Sequence, residues 1–458
     1  MIKITKFGGS SVSSAGQFRK IGKIIESDPA RRFVVVSAVG KRDKKDNKVT
    51  DLLYLVNAHI QYHVDCSELL SAIEQRFCDI ASELALSYPI ESEFDAFAAD
   101  VLAGGLSPEF IVSRGEYFTA RLMAEYLGLP FVDAADVVSF HHDGTLALDR
   151  TAERLKSVIG AEHGFVLPGF YGATTDGQIR LLDRGGGDIT GAIVAQCLGA
   201  DLYENWTDVS GFLTADPRIV ENPRPISRVT YAELRELSYM GAAVLHEEAI
   251  FPVRDAGIPL VIKNTNRPDD PGTVISEKTE GGEEPLITGI TGKKDFVAVH
   301  IRKAHMCHEI GIMRKVLTVF ERYRVSIEHT PSGVDSFAVV VHGDEVRNNL
   351  YAIIADIRDE VSPDEIKVMD HLALVATVGR NMSSRPGVSG KLFGTLGDAG
   401  INIRMIAQGS EEMNIIVGVS NDDFERAIRV IYDAFVDSEG NIVCVPSDDD
   451  GRKGGQQA

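Results

Sequence analysis

The strongest constraint on the fold is an internal repeat. Residues 311–330, GIMRKVLTVFERYRVSIEHT, align without gaps on residues 387–406, GVSGKLFGTLGDAGINIRMI. Glycines (Gly311, Gly387), lysines (Lys315, Lys391) and apolar pairs (Phe320 with Leu396, Val325 with Ile401, Ile327 with Ile403) recur at one constant offset. A β-branched run precedes each copy (296–301 and 372–378) and another follows it (336–341 and 413–419). The unit reads as strand, glycine turn, helix, strand, strand. Two units of about 70 residues make weak independent cores, so they are expected to pack on each other or across a dimer. Packing modules without ligands are one reading. The other is a binding module, because a glycine turn opening a helix leaves free N–H groups that receive a carboxylate.

The chain before the repeat is of another kind. Up to about residue 265, short strand-like runs (2–6, 33–38, 164–170, 201–206, 258–263) alternate with helical periodicity (50–62, 118–127, 188–198, 242–254). That alternation predicts an α/β domain whose largely parallel sheet is covered by helices. Residues 266–285, NRPDDPGTVISEKTEGGEEP, carry Pro268, Pro271 and Pro285 and read as a linker. A length of 458 residues suits about three units. The expected division is a catalytic domain over 1–285, α+β modules over 290–365 and 366–446, and a disordered polar tail over 447–458.

Composition narrows the function. Hydrophobic residues make up 44% and charged residues 25%, the balance of a soluble globular protein. No apolar run reaches the roughly 18 residues of a membrane span, and the N-terminus MIKITKFGGSSV lacks a signal-peptide pattern, so a cytoplasmic protein with no membrane partner is expected. Cys66, Cys78, Cys197, Cys307 and Cys444 are scattered without a CxxC pair, which indicates neither a disulfide framework nor a zinc site. A net charge of −20 argues against a nucleic-acid partner. An anionic substrate must then be held by local cations or glycine-rich backbone.

Four motifs offer such groups. KFGGSSV (6–12) follows the first strand: Gly8 and Gly9 let backbone N–H groups approach phosphate oxygens, and Lys6 adds a mobile charge, although a plain tight turn fits the glycines as well. The P-loop pattern GxxxxGK[ST] is absent. DRGGGDITGA (183–192) leads three glycines into a helix, with Arg184 suited to a carboxylate and Asp188 to either an N-cap or the orientation of Lys6. WTDVSGFLTADPRIV (206–220) places polar groups at the carboxyl end of a strand, where Asp216 and Arg218 suit ribose or phosphate contacts or simple turn chemistry. SRGE (113–116) has the look of a helix entrance whose Glu116 either accepts an ammonium group or caps the helix.

Taken in order, KFGGSSV, KVTDLL (48–53), SRGE, GFYG with DRGGGD, and WTDVSGFLTADPR resemble the aspartokinase family of the amino-acid kinase fold, and the repeats resemble its ACT domains, of βαββαβ type. The resemblance runs from Met1 to about residue 445. It implies transfer of the γ-phosphoryl group of MgATP to the side chain of L-aspartate, the first step of lysine, threonine and methionine biosynthesis. Lys6 would stabilise the transferring group, Gly8, Gly9 and Ser10 would line the phosphates, and Asp188 would orient Lys6. Thr50, Glu116, Phe170 and Arg184 would hold aspartate. Thr207, Asp208, Asp216 and Arg218 would hold ATP, with Mg2+ carried mainly by its phosphates rather than by a dedicated metal site. A carboxylate is already a nucleophile at neutral pH, so the chemistry reduces to positioning and charge neutralisation.

Many family members have Ser at Gly187, Tyr at Leu213 and Lys at Ala243, so the way adenosine is held does not follow from the resemblance. His246 reads as structural. The repeats imply feedback by lysine and/or threonine, with Met306, Glu309, Gly311, Ile312 and Met313 offered by one chain and Glu328 and Ser332 lying nearby or coming from a partner in a homodimer or higher oligomer. Because the chain ends soon after the second repeat, no homoserine dehydrogenase part is expected. A glutamate, acetylglutamate or uridylate kinase of the same fold, and an amino-acid sensor with a decayed kinase site, are the alternatives.

Overall fold

A computed structural model describes residues 1–161, 164–183, 185–242, 245, 251–278, 285–382, 385–409 and 413–436. The chain forms two compact units. One comprises Met1–Phe212, Pro225–Leu234 and Val244–Glu280, the other Leu213–Arg224, Arg235–Ala243 and Gly281–Ala458.

The first unit is built on a seven-stranded sheet. Its strands are β1 (Lys3–Phe7), β2 (Phe33–Val36), β4 (Phe165–Pro168), β7 (Leu202–Thr207), β8 (Arg228–Thr230), β9 (Leu260–Asn264) and β10 (Thr273–Ser276), in the order β4-β2-β1-β7-β9-β10-β8. The first five strands in that order run parallel, and β10 lies antiparallel to β9. Runs such as FVVV are buried along their whole length because helices cover both faces. A small sheet of β3 (Ser139–Phe140), β5 (Tyr171–Thr174) and β6 (Ile179–Leu181) completes the strands. The helical part of the core centres on Phe77, Phe94, Phe97 and Phe118, whose rings meet edge-on or tilted at 5.4–6.2 Å.

Three sequence expectations change here. The proline-rich stretch after residue 265 is not all linker. Gly272, at φ +75, turns the chain so closely onto Ile262 that any Cβ would meet its carbonyl oxygen, and the β-branched residues that follow form β10. SRGE is not a helix entrance either. The helix runs Pro108–Leu127, capped by Ser107 with Pro at its first turn and ended by Gly128 in the left-handed conformation, so 113–116 are buried in its middle. Of the helix expected over 242–254, Phe251–Asp255 is helical and Ala242 is not, while Ala243, Val244 and 246–250, including His246, lie outside the described residues.

The second unit carries the repeats on one antiparallel sheet: β11 (Gly289–Arg302), β12 (Ser336–His342), β13 (Glu365–Val378), β14 (Met405–Ala407) and β15 (Asn414–Ser420), in the order β12-β11-β13-β15-β14. The repeats are not laid end to end. β11 and β13 pair along their length, and each contributes to two cores. Val297, Val299 and Ile301 of β11 pack with the helices Ile312–Arg322 and Leu350–Val361, whereas Ile290 packs with Val388–Asp398 and Phe424–Phe435. The strands change core at Asp295 and His371, both at positive φ. Each lies about sixteen residues ahead of its repeat glycine, Gly311 or Gly387, so the repeat extends into the bends of the strands. Ala215 and Val220, from far upstream, complete the second core.

Phe320 is fully buried in the first of these cores. Truncation to Ala is expected to cost about 3–5 kcal/mol through the lost apolar contact and the cavity left behind. Denaturant unfolding followed by a probe in the second unit checks this.

Candidate active site

The central strand sets the geometry. β1 lies between β2 and β7, and the chain leaves its carboxyl end through a turn of 3-10 helix at Gly9–Val12. The Gly8 N–H donates to the Trp206 carbonyl at 3.0 Å, which ties the turn to the end of β7. Gly9 and Gly40 approach so closely, with the Gly40 N–H donating to the Gly9 carbonyl at 3.0 Å, that a Cβ on Gly40 would overlap Gly9. Ser10 is half-buried, and its carbonyl accepts from Ser13 Oγ at 3.1 Å and Gln17 Nε2 at 3.0 Å. The loop is therefore fixed backbone closely approached by its neighbours, the form an anion cradle takes.

Lys6 is buried, and its Nζ forms an ion pair with Asp188. Asp188 is not the N-cap. Gly185, in the left-handed conformation, holds that position, and the carboxylate projects from the first turn of helix Gly186–Leu198. Its Oδ1 also accepts from Asn205 Nδ2 at 2.9 Å, and its backbone carbonyl accepts from the Tyr203 hydroxyl at 3.0 Å. Asn205 stands directly beside Lys6 in the β1–β7 register. Nothing in the sequence marked Asn205 or Tyr203, because inside a strand they read as sheet residues.

The glycines of the second motif fit against the first. A Cβ on Gly187 would meet Ser37 Oγ at 2.7 Å and Lys6 Cε at 3.4 Å, and one on Gly169 would meet the Gly187 Cα at 2.9 Å. The Ser37 hydroxyl thus occupies the space that a serine at position 187 would need. Phe170 takes φ +76, and its N–H donates to Thr190 Oγ1 at 2.9 Å, so the strand expected over 164–170 ends at Pro168 and a separate strand, β5, begins at Tyr171. Arg184 lies outside the described residues.

Glu116 has an unusual environment. It is 4% exposed, and its Oε2 has no hydrogen-bond partner. Burial pushes its carboxyl up to about 8, against the pull of the Ala38 N–H, Lys6 and Arg114. The Arg114 guanidinium is itself spread over the rings of Phe110 at 4.3 Å and Tyr117 at 4.4 Å. Gly115 brings this helix against Ala38, whose Cβ would lie 3.0 Å from any Cβ at 115. Thr50 sits half-buried in the first turn of helix Val49–Gln61, which packs on the helix carrying Glu116.

Thr207 and the exposed Asp208 end β7, with Thr207 Oγ1 donating to Asp208 at 3.2 Å. Asp216 and Arg218 belong to the second unit, where the Arg218 Nη2 donates to Asp216 at 2.6 Å and its backbone N–H at 2.8 Å, the turn chemistry their spacing allows. Leu213 is partly exposed in the same segment.

Among the residues expected at the effector site, Met306 and Ile312 are buried in the first regulatory core, and Met313 packs against it. Gly311 caps the following helix at φ +83. Glu309 pairs with Lys303, which holds its carboxyl below the ordinary range, and lies 3.8 Å from Lys315. Glu328 hydrogen-bonds Tyr239. Ser332 lines a separate cavity of about 250 Å³ with His300, Met369 and Arg404.

Residues 1–264 match the amino acid kinase family, and residues 375–435 match the ACT domain. Aspartokinase 3 of Bacillus subtilis is 36% identical over 448 residues, spanning 95% of this chain and 98% of its own. The chain belongs to the aspartokinase family. The crystal structure of Clostridium acetobutylicum aspartate kinase superposes with a TM-score of 0.89 at 46% identity, covering 95% of this chain and 99% of that one. Escherichia coli aspartokinase III matches at the same coverage in two complexes. With aspartate and ADP the TM-score is 0.72 at 25% identity, and with lysine and aspartate it is 0.73 at 26%. An amino-acid kinase domain with ACT modules, and an ATP-dependent kinase, are thus what this aspartokinase chain comprises.

The pH dependence of stability tests the burial of Glu116. Its folded-state value lies above the unfolded one, so between about 4.5 and 8 the folded form keeps a proton that the unfolded form releases, and stability falls as pH rises across that window. Glu116→Gln is expected to flatten this decline without steepening it elsewhere, read as melting temperature against pH for both proteins without ligands.

Proposed function

We propose that this aspartokinase transfers the γ-phosphoryl group of ATP to the side-chain carboxylate of L-aspartate through the site around Lys6. The observation that carries the assignment is the Lys6–Asp188 ion pair, set where the Gly8–Gly9 and Gly186–Gly187 turns meet. Asp188, itself held by Asn205 and Tyr203, fixes the Lys6 ammonium beside the phosphate loop. There the cation neutralises charge as the phosphoryl group moves, while the N–H groups of Gly9 and Ser10 hold the phosphates and Gly8, its own N–H taken by Trp206, lines them. Thr207 and Asp208, at the carboxyl end of β7, contribute to nucleotide binding.

Thr50, Glu116, Phe170 and Arg184 hold aspartate. The unpartnered Glu116 Oε2 supports this placement, because a buried carboxyl oxygen without a donor gains one when a substrate ammonium binds and the carboxyl gives up its proton. Magnesium suits the site as a companion of the nucleotide, since it prefers hard oxygens and keeps waters, and Asp208 is a carboxylate of the right kind to assist. When bound it neutralises phosphate charge.

Escherichia coli aspartokinase III forms a complex with lysine. By extension, lysine and/or threonine inhibits this chain through the first repeat, using the backbone at Gly311 with Met306, Glu309, Ile312 and Met313, and Glu328 and Ser332 from the same chain or a partner in a homodimer or larger oligomer. Inhibition requires tighter binding to the less active arrangement. The functional division into a catalytic part over 1–285 and regulatory modules over 290–365 and 366–446, and a cytoplasmic location, accompany this reading.

Lys6→Ala is expected to abolish aspartyl hydroxamate formation from ATP, aspartate and hydroxylamine while leaving any lysine-induced melting shift in place. Retained activity in the variant would remove Lys6 from the mechanism. A wild-type protein that shows the shift but forms no hydroxamate would be an amino-acid sensor.

A further inference from the structure

Residues 37–48 form the loop that connects β2 to helix Val49–Gln61. It carries Lys41, Arg42, Lys44, Lys45 and Lys48 in a chain whose net charge is −20. Lys41, Lys44, Lys45 and Lys48 are exposed, and among the described residues no ion pair involves them. Solvated lysines are common, and by themselves they say little.

Their placement says more. The loop leaves the site at Gly40, whose N–H is bonded to the Gly9 carbonyl of the phosphate turn at 3.0 Å. It returns at Lys48, the N-cap of the helix that bears Thr50. Both ends are anchored by one buried side chain. Arg76, 5% exposed in helix Ser67–Leu84, donates from Nη1 to the Asn47 carbonyl at 2.5 Å and from Nη2 to the Gly40 carbonyl. Its Nη2 also lies 3.3 Å from Asp46, whose carboxylate accepts from the backbone N–H and Nε of Arg42 at 3.0 Å each. Arg42 is thereby turned back onto the loop, and the four lysines remain free. A buried guanidinium loses hydration and is retained where it fixes a geometry. Here the geometry is the span of a cationic loop whose base is bonded to the phosphate turn.

We propose that residues 41–48 form a cationic rim of the active site that attracts and steadies the polyphosphate of ATP, and that Arg76 is the positioning residue of this rim. It rests on the assignment of the 6–10 turn to the nucleotide phosphates. Clustered like charges beside a binding turn raise the local concentration of an oppositely charged ligand, and the effect weakens with salt.

Two variants test it, with steady-state kinetics run separately in ATP and aspartate at several ionic strengths. The combined change Lys41→Gln, Lys44→Gln and Lys45→Gln removes only exposed charge. It is expected to raise the KM for ATP about tenfold and to flatten the salt dependence of kcat/KM for ATP, with kcat and the KM for aspartate nearly unchanged. Arg76→Gln should give the same rise in the KM for ATP, partly restored in Arg76→Lys. If the triple variant keeps the wild-type KM for ATP and salt dependence, there is no rim. If Arg76→Gln lowers the melting temperature with the KM for ATP intact, Arg76 is a structural tether only. A wild-type chain that turns over no ATP would overturn the kinase assignment itself, a result distinguishable from either of these.

Discussion

Everything in the catalytic unit is arranged around one ion pair, between the buried Lys6 and the part-buried Asp188. Lys6 and Asp188 come from segments separated by most of the domain, and the pair forms only because β1 is central in the sheet and helix Gly186–Leu198 begins beside it. Burying two charges is costly unless their remaining hydrogen-bonding capacity is met. For Asp188 it is met by Asn205, which the parallel register places beside Lys6, while Tyr203 holds the peptide behind the carboxylate. The ammonium is thereby fixed in direction before any substrate arrives, and preorganised charge is what makes electrostatic catalysis effective.

The glycines follow from the same pair. On its way to Asp188 the Lys6 side chain passes Gly187, where a Cβ would lie 3.4 Å from Lys6 Cε. Gly9 against Gly40, and Gly169 against Gly187, are contacts where a Cβ would collide with backbone. Ser37 shows how the family's pattern tolerates change, since its hydroxyl takes up the space beside Gly187. Glu116 extends the same economy of space: burial holds its carboxyl protonated with one oxygen unpartnered in the free protein, and that oxygen gains a partner when a cation binds.

What the sequence made legible was whatever is local. Lys6, Gly8 and Gly9 follow a β-branched run directly, and the repeat glycines Gly311 and Gly387 open their helices as a glycine turn should. Asn205 and Tyr203 escaped notice because their role exists only once β7 lies beside β1. SRGE misled because a buried polar run in mid-helix has the composition of a cap, although Ser107 and Pro108 were the true start signal. β10 was hidden by the prolines before it, which direct the chain into the strand rather than away from structure. Arg76 left one trace, a charged residue amid Ile73, Phe77 and Ile80 on the buried face of its helix. In the second unit the offset of the copies was plain, but the sharing of β11 and β13 between two cores was not, since a long strand with a bend reads as two strands.

The central claim is that this constellation phosphorylates aspartate. The most direct measurement is ADP release by the purified chain with MgATP, offered L-aspartate, L-glutamate, N-acetylglutamate and UMP in turn. Turnover is expected with aspartate and little with the other three. Turnover with another acceptor and none with aspartate would contradict it.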